Sequence, residues 1–353
     1  MMKLTYFFAT AALLQLACGA FGQKAHPSSR ASLSMTGKYN PGHYIYMYDN
    51  TPIEKIKGAL SPAVKGIVRR YQWRSLEPKR DQYDFSAIQA DLNECKRYGK
   101  QLIVMIFDKS FVKSKSVCPA YLDPIMMTTF QGKIPYRWTD LYVERFNALT
   151  AAIGHDFDSH PNFEGINLQE TSLAISEEMI AQIPAEHAYS PQKYVKALEN
   201  FVIAAAKAMP ASRVFWFQNF LAGGVPVPDT LPRSFIPYRV VMGGPDILPA
   251  RKAHVQAVYP KYDMYYGKLP LCCSMQPDSY HTNKYDVNNK RPHKHHTEEG
   301  FTPLEELFLF GRDKLHCNYI IWAYIFFDGP DKDGGNTFDD AIKVMEKYPI
   351  FNQ

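Results

Sequence analysis

The sequence lacks several features that would assign it to common protein classes. Beyond its N-terminal stretch it has no uncharged apolar run of the ~20 residues that a membrane span needs. It has no C-x-x-C pair, which leaves a structural zinc site of that kind without support. It also has no G-x-G-x-x-G turn and no P-loop, so nucleotide binding loses its main signal. We therefore expect no integral membrane span, no cofactor and no bound metal.

Charge of one sign is not in large excess. The chain has 40 Lys and Arg residues against 35 Asp and Glu residues, a formal net charge of +5 in 353 residues. Nucleic-acid binding requires a basic stripe on folded elements and is less consistent with a secreted protein, which the N-terminus described below predicts. We therefore expect no nucleic-acid partner. Aromatic residues, in contrast, make up 14% of the chain, and carbohydrate sites need such flat apolar faces.

Cysteine is scarce for a chain of this length. Of the six cysteines, Cys18 lies in the N-terminal stretch, and an odd number remain. The remaining ones are Cys95, Cys118, Cys272, Cys273 and Cys317. A miniature fold held by disulfides is therefore excluded, while one or two bridges stay open in an oxidising compartment.

The N-terminus is typical of a secretory signal peptide. Lys3 precedes a mostly apolar run, Leu4–Leu16, and small residues follow. This pattern predicts a signal peptide at 1–22 and a secreted or periplasmic protein. Lipid anchoring at Cys18 is the weaker alternative, because Gln15 does not fit a lipobox.

Apolar and polar runs alternate regularly from about residue 40 onwards. The apolar, β-branched or aromatic runs predict eight strands: His43–Tyr48, Gly66–Gln72, Gln101–Phe107, Glu164–Gln169, Arg213–Gln218, Arg239–Gly243, Pro270–Met275 and Asn318–Phe326. Helical periodicity between them is clearest at Ser86–Tyr98, Leu141–Phe157, Pro191–Ala208, Pro303–Leu315 and Asp339–Lys347. The alternation predicts a parallel sheet, and eight units predict a single closed (β/α)8 TIM barrel at 41–353, preceded by a linker at 23–40. The rival arrangement is an open doubly wound sheet, which usually has a Gly-rich turn that this chain lacks.

A barrel would gather the residues that follow each strand at one mouth. The carboxyl ends of the strands face that mouth, and catalytic groups of such barrels lie there. The fourth run ends at Gln169 and Glu170, the sixth leads to Asp246, and the seventh leads to Gln276 and Asp278. Their convergence predicts a functional site.

The segment from Tyr71 to Phe107 carries three short motifs. They are W-R-S-L-E-P at Trp73–Pro78, Y-D-F at Tyr83–Phe85 and G-K before the third strand. Together they resemble the segment between the second and third strands of clan A glycoside hydrolases. The resemblance implies a (β/α)8 barrel that acts on a carbohydrate polymer or oligosaccharide. It leaves the oligomeric state open.

In that clan the acid/base is a Glu after an Asn at the end of the fourth strand, and the nucleophile is a Glu ending the seventh. Glu170 matches the acid/base, with Gln169 in the place of the Asn. Gln276 stands where the nucleophile is expected, and an amide cannot form the glycosyl intermediate at a useful rate. The resemblance thus implies a barrel with one of its two carboxylates replaced.

Three mechanisms stay open at this stage. Asp246 or Asp278 can serve as general base for an inverting attack by water, with Glu170 as general acid. Alternatively Glu170, with a partner such as Tyr280, can remove a proton beside a uronic acid and eliminate the glycosidic bond. Finally, the barrel can bind sugar without cleaving it. The side chains expected to contact sugar are Trp73, Gln169, Gln218, Asn219, Gln276, Tyr280 and Trp322.

Two predicted loops at the same mouth are rich in cations. The loop after the third strand has Lys109, Lys113 and Lys115, and the loop after the seventh is rich in Lys, Arg and His between His281 and His296. Clustered cations would steer an acidic glycan towards the site. Part of this charge is offset by acidic neighbours, and the histidines lack the context of a metal site.

Overall fold

The computed structural model describes residues 37–244, 246–280, 302–324 and 336–352. Three sequence predictions fall outside these residues. They are the signal peptide at 1–22 with Cys18, nearly all of the linker at 23–40, and the cationic cluster between His281 and His296.

Eight parallel strands form a closed barrel, as the sequence predicts. In order around the barrel each strand pairs with its neighbour in sequence, and the eighth pairs with the first. The strands are β1 (Gly42–Met47), β2 (Val64–Gln72), β3 (Gln101–Phe107), β4 (Phe163–Asn167), β5 (Arg213–Phe217), β6 (Val240–Gly244), β7 (Leu271–Met275) and β8 (Tyr319–Ala323). The rival open sheet is wrong, because β8 pairs with β1 from Gly42 to Tyr46.

Helices follow the strands and cover the outside of the barrel. They are α1 (Trp73–Leu76), α2 (Ser86–Tyr98), α3 (Asp140–Phe157), α4 (Glu177–Ala181), α5 (Pro191–Ala208), α6 (Lys252–Ala257), α7 (Pro260–Tyr265), α8 (Pro277–Tyr280), α9 (Leu304–Leu309), which continues as a π-helical turn (Phe310–Lys314), and α10 (Phe338–Lys347). Short 3-10 turns lie at Ile53–Lys55, Ala120–Ile125, Ala185–His187, Ala222–Gly224 and Leu231–Phe235, and an antiparallel hairpin pairs Met126–Thr128 with Lys133–Pro135. Among the described residues no helix is long and apolar enough to cross a membrane.

Local chemistry explains why the longer helices begin where they do. The Ser190 side chain accepts a hydrogen bond from the Lys193 amide, and Pro191 occupies the first turn of α5, where its missing N–H costs nothing. Thr337 caps α10 reciprocally with Asp340. In α5 the buried face includes Tyr194 and every third or fourth residue after it, which packs this helix on the barrel.

Strand residues alternate between the inside of the barrel and the layer under the helices. Tyr44, Val68 and Ile103 lie in the inner cluster, whereas Ile45 and Ile67 lie in the outer one. Both faces of the sheet are therefore buried, which is why the strands read as nearly continuous apolar runs.

The amino-terminal end of the barrel is closed by residues that the sequence placed in the linker. Lys38 donates through Nζ to the Asp158 carbonyl at 2.6 Å, and Asn40 donates through Nδ2 to Glu164 Oε2 at 2.7 Å. Glu164 is completely buried and also accepts from the Tyr319 hydroxyl at 2.7 Å. Lys38 and Asn40 therefore belong to the folded barrel, because Lys38 donates to a backbone carbonyl and Asn40 to a buried carboxylate.

The described cysteines are all buried free thiols. The Sγ atoms of Cys273 and Cys317 lie 3.2 Å apart beneath the π-helical turn. No disulfide joins the cysteines among the described residues, and the bridges left open by the sequence are not formed here.

Candidate active site

A cavity of about 560 Å³ lies at the carboxyl ends of the barrel strands. Six of the ten side chains expected at the site line it: Gln169, Glu170, Asn219, Asp246, Gln276 and Asp278. They come from β4, β5, β6 and β7, each within a few residues of the strand end. The barrel thus brings together the groups that sequence spacing alone could only place on one face.

Glu170 is held by polar neighbours on both oxygens. Asn219 donates through Nδ2 to Oε2 at 2.7 Å, and Lys109 Nζ lies 3.8 Å from Oε1. Lys109 is itself 1% exposed, and burial lowers its pKa while the Glu170 charge acts in the opposite direction. An amide donor and a cation thus stand beside the Glu170 side chain.

The backbone of Glu170 is fixed by a buried ion pair. Arg137 donates through Nη1 to the Glu170 carbonyl at 2.8 Å, and its Nε and Nη2 donate to the two carboxylate oxygens of Asp108 at 2.8 and 2.6 Å. The Tyr142 hydroxyl donates to the same carboxylate at 2.7 Å. The ion pair of Arg137 and Asp108 therefore fixes the backbone of the loop that carries Glu170.

Asp246 is a carboxyl group whose surroundings favour the protonated form. Burial raises the pKa of Asp246 to about 7, and the nearby charges of Glu170 and Asp278 act in the same direction. Arg251 opposes them, with Nη1 at 3.6 Å from Asp246 Oδ2. Near neutral pH the cavity therefore holds a carboxyl group that can give or take a proton.

Gln276 and several aromatic rings complete the lining. The Tyr48 hydroxyl donates to Gln276 Oε1 at 3.4 Å, a long hydrogen bond. Phe111 at the rim is 55% exposed and stacks on Phe107, with ring centroids 6.0 Å apart. Exposed aromatic faces beside polar groups suit the apolar face of a sugar ring.

Four residues expected to contact sugar do not line the cavity. Trp322 is completely buried in the outer layer, where Nε1 donates to His43 Nδ1 at 3.0 Å. Trp73 is completely buried against α3. Gln218 and Tyr280 are also buried. These expectations need correction, because strand alternation or helix packing turns each side chain away from the cavity.

The motif that carries the family resemblance is a structural element in this chain. Glu77 is completely buried and accepts from Trp73 Nε1 at 2.8 Å and from the Tyr121 hydroxyl at 2.6 Å. It also pairs with Arg145. Glu77 therefore joins the loop after β2 to α3 and takes no part in the cavity lining.

Sequence reasoning missed several side chains that line the cavity. Arg70 and Asn167 lie inside strand runs, and Arg251 and Phe111 lie in loops. Neither of the first two stands out in sequence, because β2 also has Lys65, Arg69 and Gln72, and β4 also has Glu164. Of the loop lysines, Lys109 pairs with Glu170 instead of facing solvent, whereas Lys113 is exposed.

Metal binding finds no support in the part of the chain that the structure describes. There, no group of three or more His, Cys, Asp or Glu side chains could hold a metal ion. Of the cavity carboxylates, Glu170 is partnered by Asn219 and Lys109, and Asp246 by Arg251.

No protein-family model and no curated protein match this chain, but solved structures match its fold. The catalytic domain of a β-amylase from Paenibacillus polymyxa has a TM-score of 0.57 and 11% identity, over 87% of this chain and 98% of that one. A β-galactosidase from the psychrophilic Marinomonas ef1 has a TM-score of 0.54 and 9% identity, over 87% of this chain and 59% of that one. A family 39 glycoside hydrolase from the gut symbiont Bacteroides cellulosilyticus WH2 has a TM-score of 0.52 and 12% identity, over 87% of this chain and 64% of that one. This chain thus spans less than two thirds of the last two, and at these identities the likeness shows the shared barrel fold alone.

Proposed function

We propose that this protein is a glycoside hydrolase in which Glu170 and Asp246 carry the reaction. One observation supports the proposal above all. Carboxyl groups from the ends of β4, β6 and β7 line one cavity at the catalytic end of a (β/α)8 barrel. Glycosidic bonds are commonly cleaved by a pair of carboxyl groups of which one is protonated and one ionised. Other barrels of this fold, named above as glycoside hydrolases, agree with the proposal.

The surroundings of the two carboxyl groups suggest how their roles divide. The family resemblance implies Glu170 as the proton donor. However, Asp246 is the group whose pKa is raised to about 7, whereas Glu170 accepts a hydrogen bond from Asn219 and faces the cation of Lys109. Environments that separate two carboxyl groups in this way also separate their tasks. We therefore assign the donor role to Asp246 and the base role to Glu170.

The proposed step is a single displacement by water. Asp246 gives its proton to the glycosidic oxygen while the bond between that oxygen and the anomeric carbon breaks. Water attacks the anomeric carbon, and its proton passes to the Glu170 carboxylate. Because Gln276 cannot serve as a nucleophile, we expect inversion of the anomeric configuration. Exchange with solvent then returns both groups to their starting states.

A screen of polysaccharides for release of reducing ends tests this function. Wild-type protein should release them from at least one glycan, and proton NMR of the first product should show inverted configuration. An ultraviolet-absorbing unsaturated product would instead indicate a lyase. The structure does not favour the lyase pairing with Tyr280, since that side chain is completely buried and does not line the cavity. Intact polymer across the panel, with measurable binding, would show a binding module.

The activity should decline as the pH rises through about 7, because the donor Asp246 must be protonated. Replacing Arg251 with Gln removes the cation that lowers this pKa. The alkaline limb of the kcat/KM profile should therefore move to higher pH. Lys252→Gln, at the exposed neighbouring position, should leave the limb in place. A limb that stays fixed in Arg251→Gln would assign the titration to another group.

Introducing a carboxylate at position 276 distinguishes a rebuilt site from an inactivated one. In Gln276→Glu the new charge should raise the pKa of the donor Asp246 by repulsion, so that the alkaline limb of the activity moves to higher pH. Gln276→Met removes the amide without adding charge and serves as the matched control. Increased cleavage with retained configuration in Gln276→Glu would instead show that the chain had lost only its nucleophile.

The location of the protein is part of the same proposal. The signal-like segment at 1–22 supports secretion or export to the periplasm, where a polymeric glycan is accessible. Mass spectrometry of the mature N-terminus, after expression with that segment, tests it. A first residue near position 21 or 23 would support cleavage, and an intact Met1 would oppose it.

A further inference from the structure

Two consecutive arginines of β2 have different surroundings. Arg69 points into the outer layer and pairs with Asp91 at 3.1 Å and Glu94 at 3.4 Å. Arg70 points into the cavity, where its guanidinium carbon lies 4.3 Å from the centroid of the Phe107 ring. Within the described part of the chain, no Asp or Glu forms an ion pair with Arg70. Arg69 is thus neutralised by carboxylates, whereas Arg70 contacts the Tyr46 side chain and the Phe107 ring and keeps its charge unbalanced beside the cavity.

Asn167 is a polar side chain of the cavity whose amide has no hydrogen-bond partner among the described residues. It is completely buried on β4, and neither Oδ1 nor Nδ2 has a hydrogen-bond partner among the described residues. Buried amides are normally hydrogen-bonded, because leaving one unpaired is costly. Since Asn167 lines the cavity, a bound ligand can supply the missing partner.

The strand register places these two side chains on one level of the barrel. Arg70 on β2 is opposite Met105 on β3, and Met105 is opposite Asn167 on β4. With strands ~4.8 Å apart, the two backbones are separated by roughly 10 Å. Side chains of this level face the same interior space, so one small group between them can contact both.

From this arrangement we infer that the cavity floor binds the carboxylate of an acidic sugar, a hexuronic acid, through Arg70 and Asn167. A guanidinium donates two parallel hydrogen bonds to a planar carboxylate, and the Asn167 amide nitrogen can donate a third. Phe107 holds the guanidinium plane from behind. The inference rests on the proposed function for the ligand class, a glycan, and adds its charge and its binding residues.

Two of the three acidic groups that line the cavity face cations of their own. Glu170 faces Lys109 at 3.8 Å, and Asp246 faces Arg251 at 3.6 Å. These four charged residues follow the strand ends, whereas Asn167 is the last residue of β4 and Arg70 lies two residues before the end of β2. A sugar seated with its carboxylate at the floor would present its glycosidic bond towards the rim.

Binding, measured by calorimetry, tests the inference without requiring turnover. The probes are trigalacturonate, trimannuronate and triguluronate, each beside its carboxyl-reduced counterpart and a sulfated form of that neutral trisaccharide. In the Glu170→Gln background at least one uronate should bind about 10- to 100-fold more tightly than its reduced counterpart. Equal affinity for all acidic and reduced pairs, or equal affinity for the sulfated forms, would overturn the inference.

Variants then assign the effect to the two residues. Arg70→Met should remove most of the preference for the uronate, Arg70→Lys should retain part of it, and Asn167→Asp should weaken uronate binding by adding a like charge. Arg97→Gln, an exposed change on α2, should have no effect. Uronate preference that survives both Arg70→Met and Asn167→Asp in folded protein would contradict the assignment. Should a variant not fold, the comparison of acidic and reduced probes above still decides.

The outcome is separable from that of the proposed function. Uronate binding without cleavage by the wild type would leave the inference standing and overturn the hydrolase. Cleavage of a neutral glycan without preference for uronates would support the hydrolase and overturn the inference of a uronate site.

Discussion

Replacing Glu170 with Gln should lower turnover by ~10²–10⁴-fold while largely preserving substrate binding. The two side chains have nearly the same shape, and Asn219 and Lys109 remain beside the new amide. An amide cannot accept the proton of the attacking water. The measurement is kcat on the glycan identified by the screen, with Glu177→Gln on the exposed face of α4 as the control.

Leaving-group chemistry then separates the two carboxyl roles. A dinitrophenyl glycoside needs no protonation of its leaving oxygen, so it should restore the rate of Asp246→Asn but not that of Glu170→Gln. The reverse result would return the donor role to Glu170, as the family resemblance implies. Full activity of Glu170→Gln on a genuine substrate would remove Glu170 from the mechanism altogether.

Breaking the buried pair of Arg137 and Asp108 should lower the free energy of unfolding by ~3–5 kcal/mol. Both side chains are almost completely buried, and Arg137→Met leaves the Asp108 carboxylate without its counter-charge. The Glu170 carbonyl also loses its hydrogen bond, so kcat should fall even in protein that stays folded. Denaturant unfolding measures the first effect, and turnover well below the midpoint measures the second.

A surface pair provides the matched comparison. Arg80 lies 2.9 Å from Glu144, and both side chains are more than half exposed. Arg80→Met should therefore cost less than ~1 kcal/mol. If Arg137→Met and Arg80→Met lowered the free energy of unfolding by similar amounts, burial of the Arg137 pair would add nothing to the stability.

The barrel could be predicted from sequence because its strands are buried on both faces. Such strands read as apolar runs, and the predicted run Gln101–Phe107 coincides with β3. The placement of Glu170, Asp246 and Gln276 at one cavity follows from a topological rule that needs only the strand ends.

Other site residues could not be predicted, because apolar runs do not show which face a side chain occupies. Trp322 lies one residue before the end of β8, yet the alternation turns it outwards. Arg69 and Arg70 are adjacent in sequence, and only the register shows that the second faces the cavity. The protonation of Asp246 could not be predicted from sequence either, because burial in the folded chain is the main cause of its raised pKa.

The closure of the barrel's amino-terminal end also bears on how the chain folds during synthesis. Glu164 takes its partners from Asn40 and Tyr319, which lie 124 and 155 positions away in sequence. Strand β1 likewise obtains one of its two neighbours only from β8. Contacts of such long sequence separation form slowly, because distant segments must first be brought together. On the ribosome, β1 to β7 must therefore wait as an open sheet until β8 emerges, and during that interval their unpaired edges are exposed to aggregation.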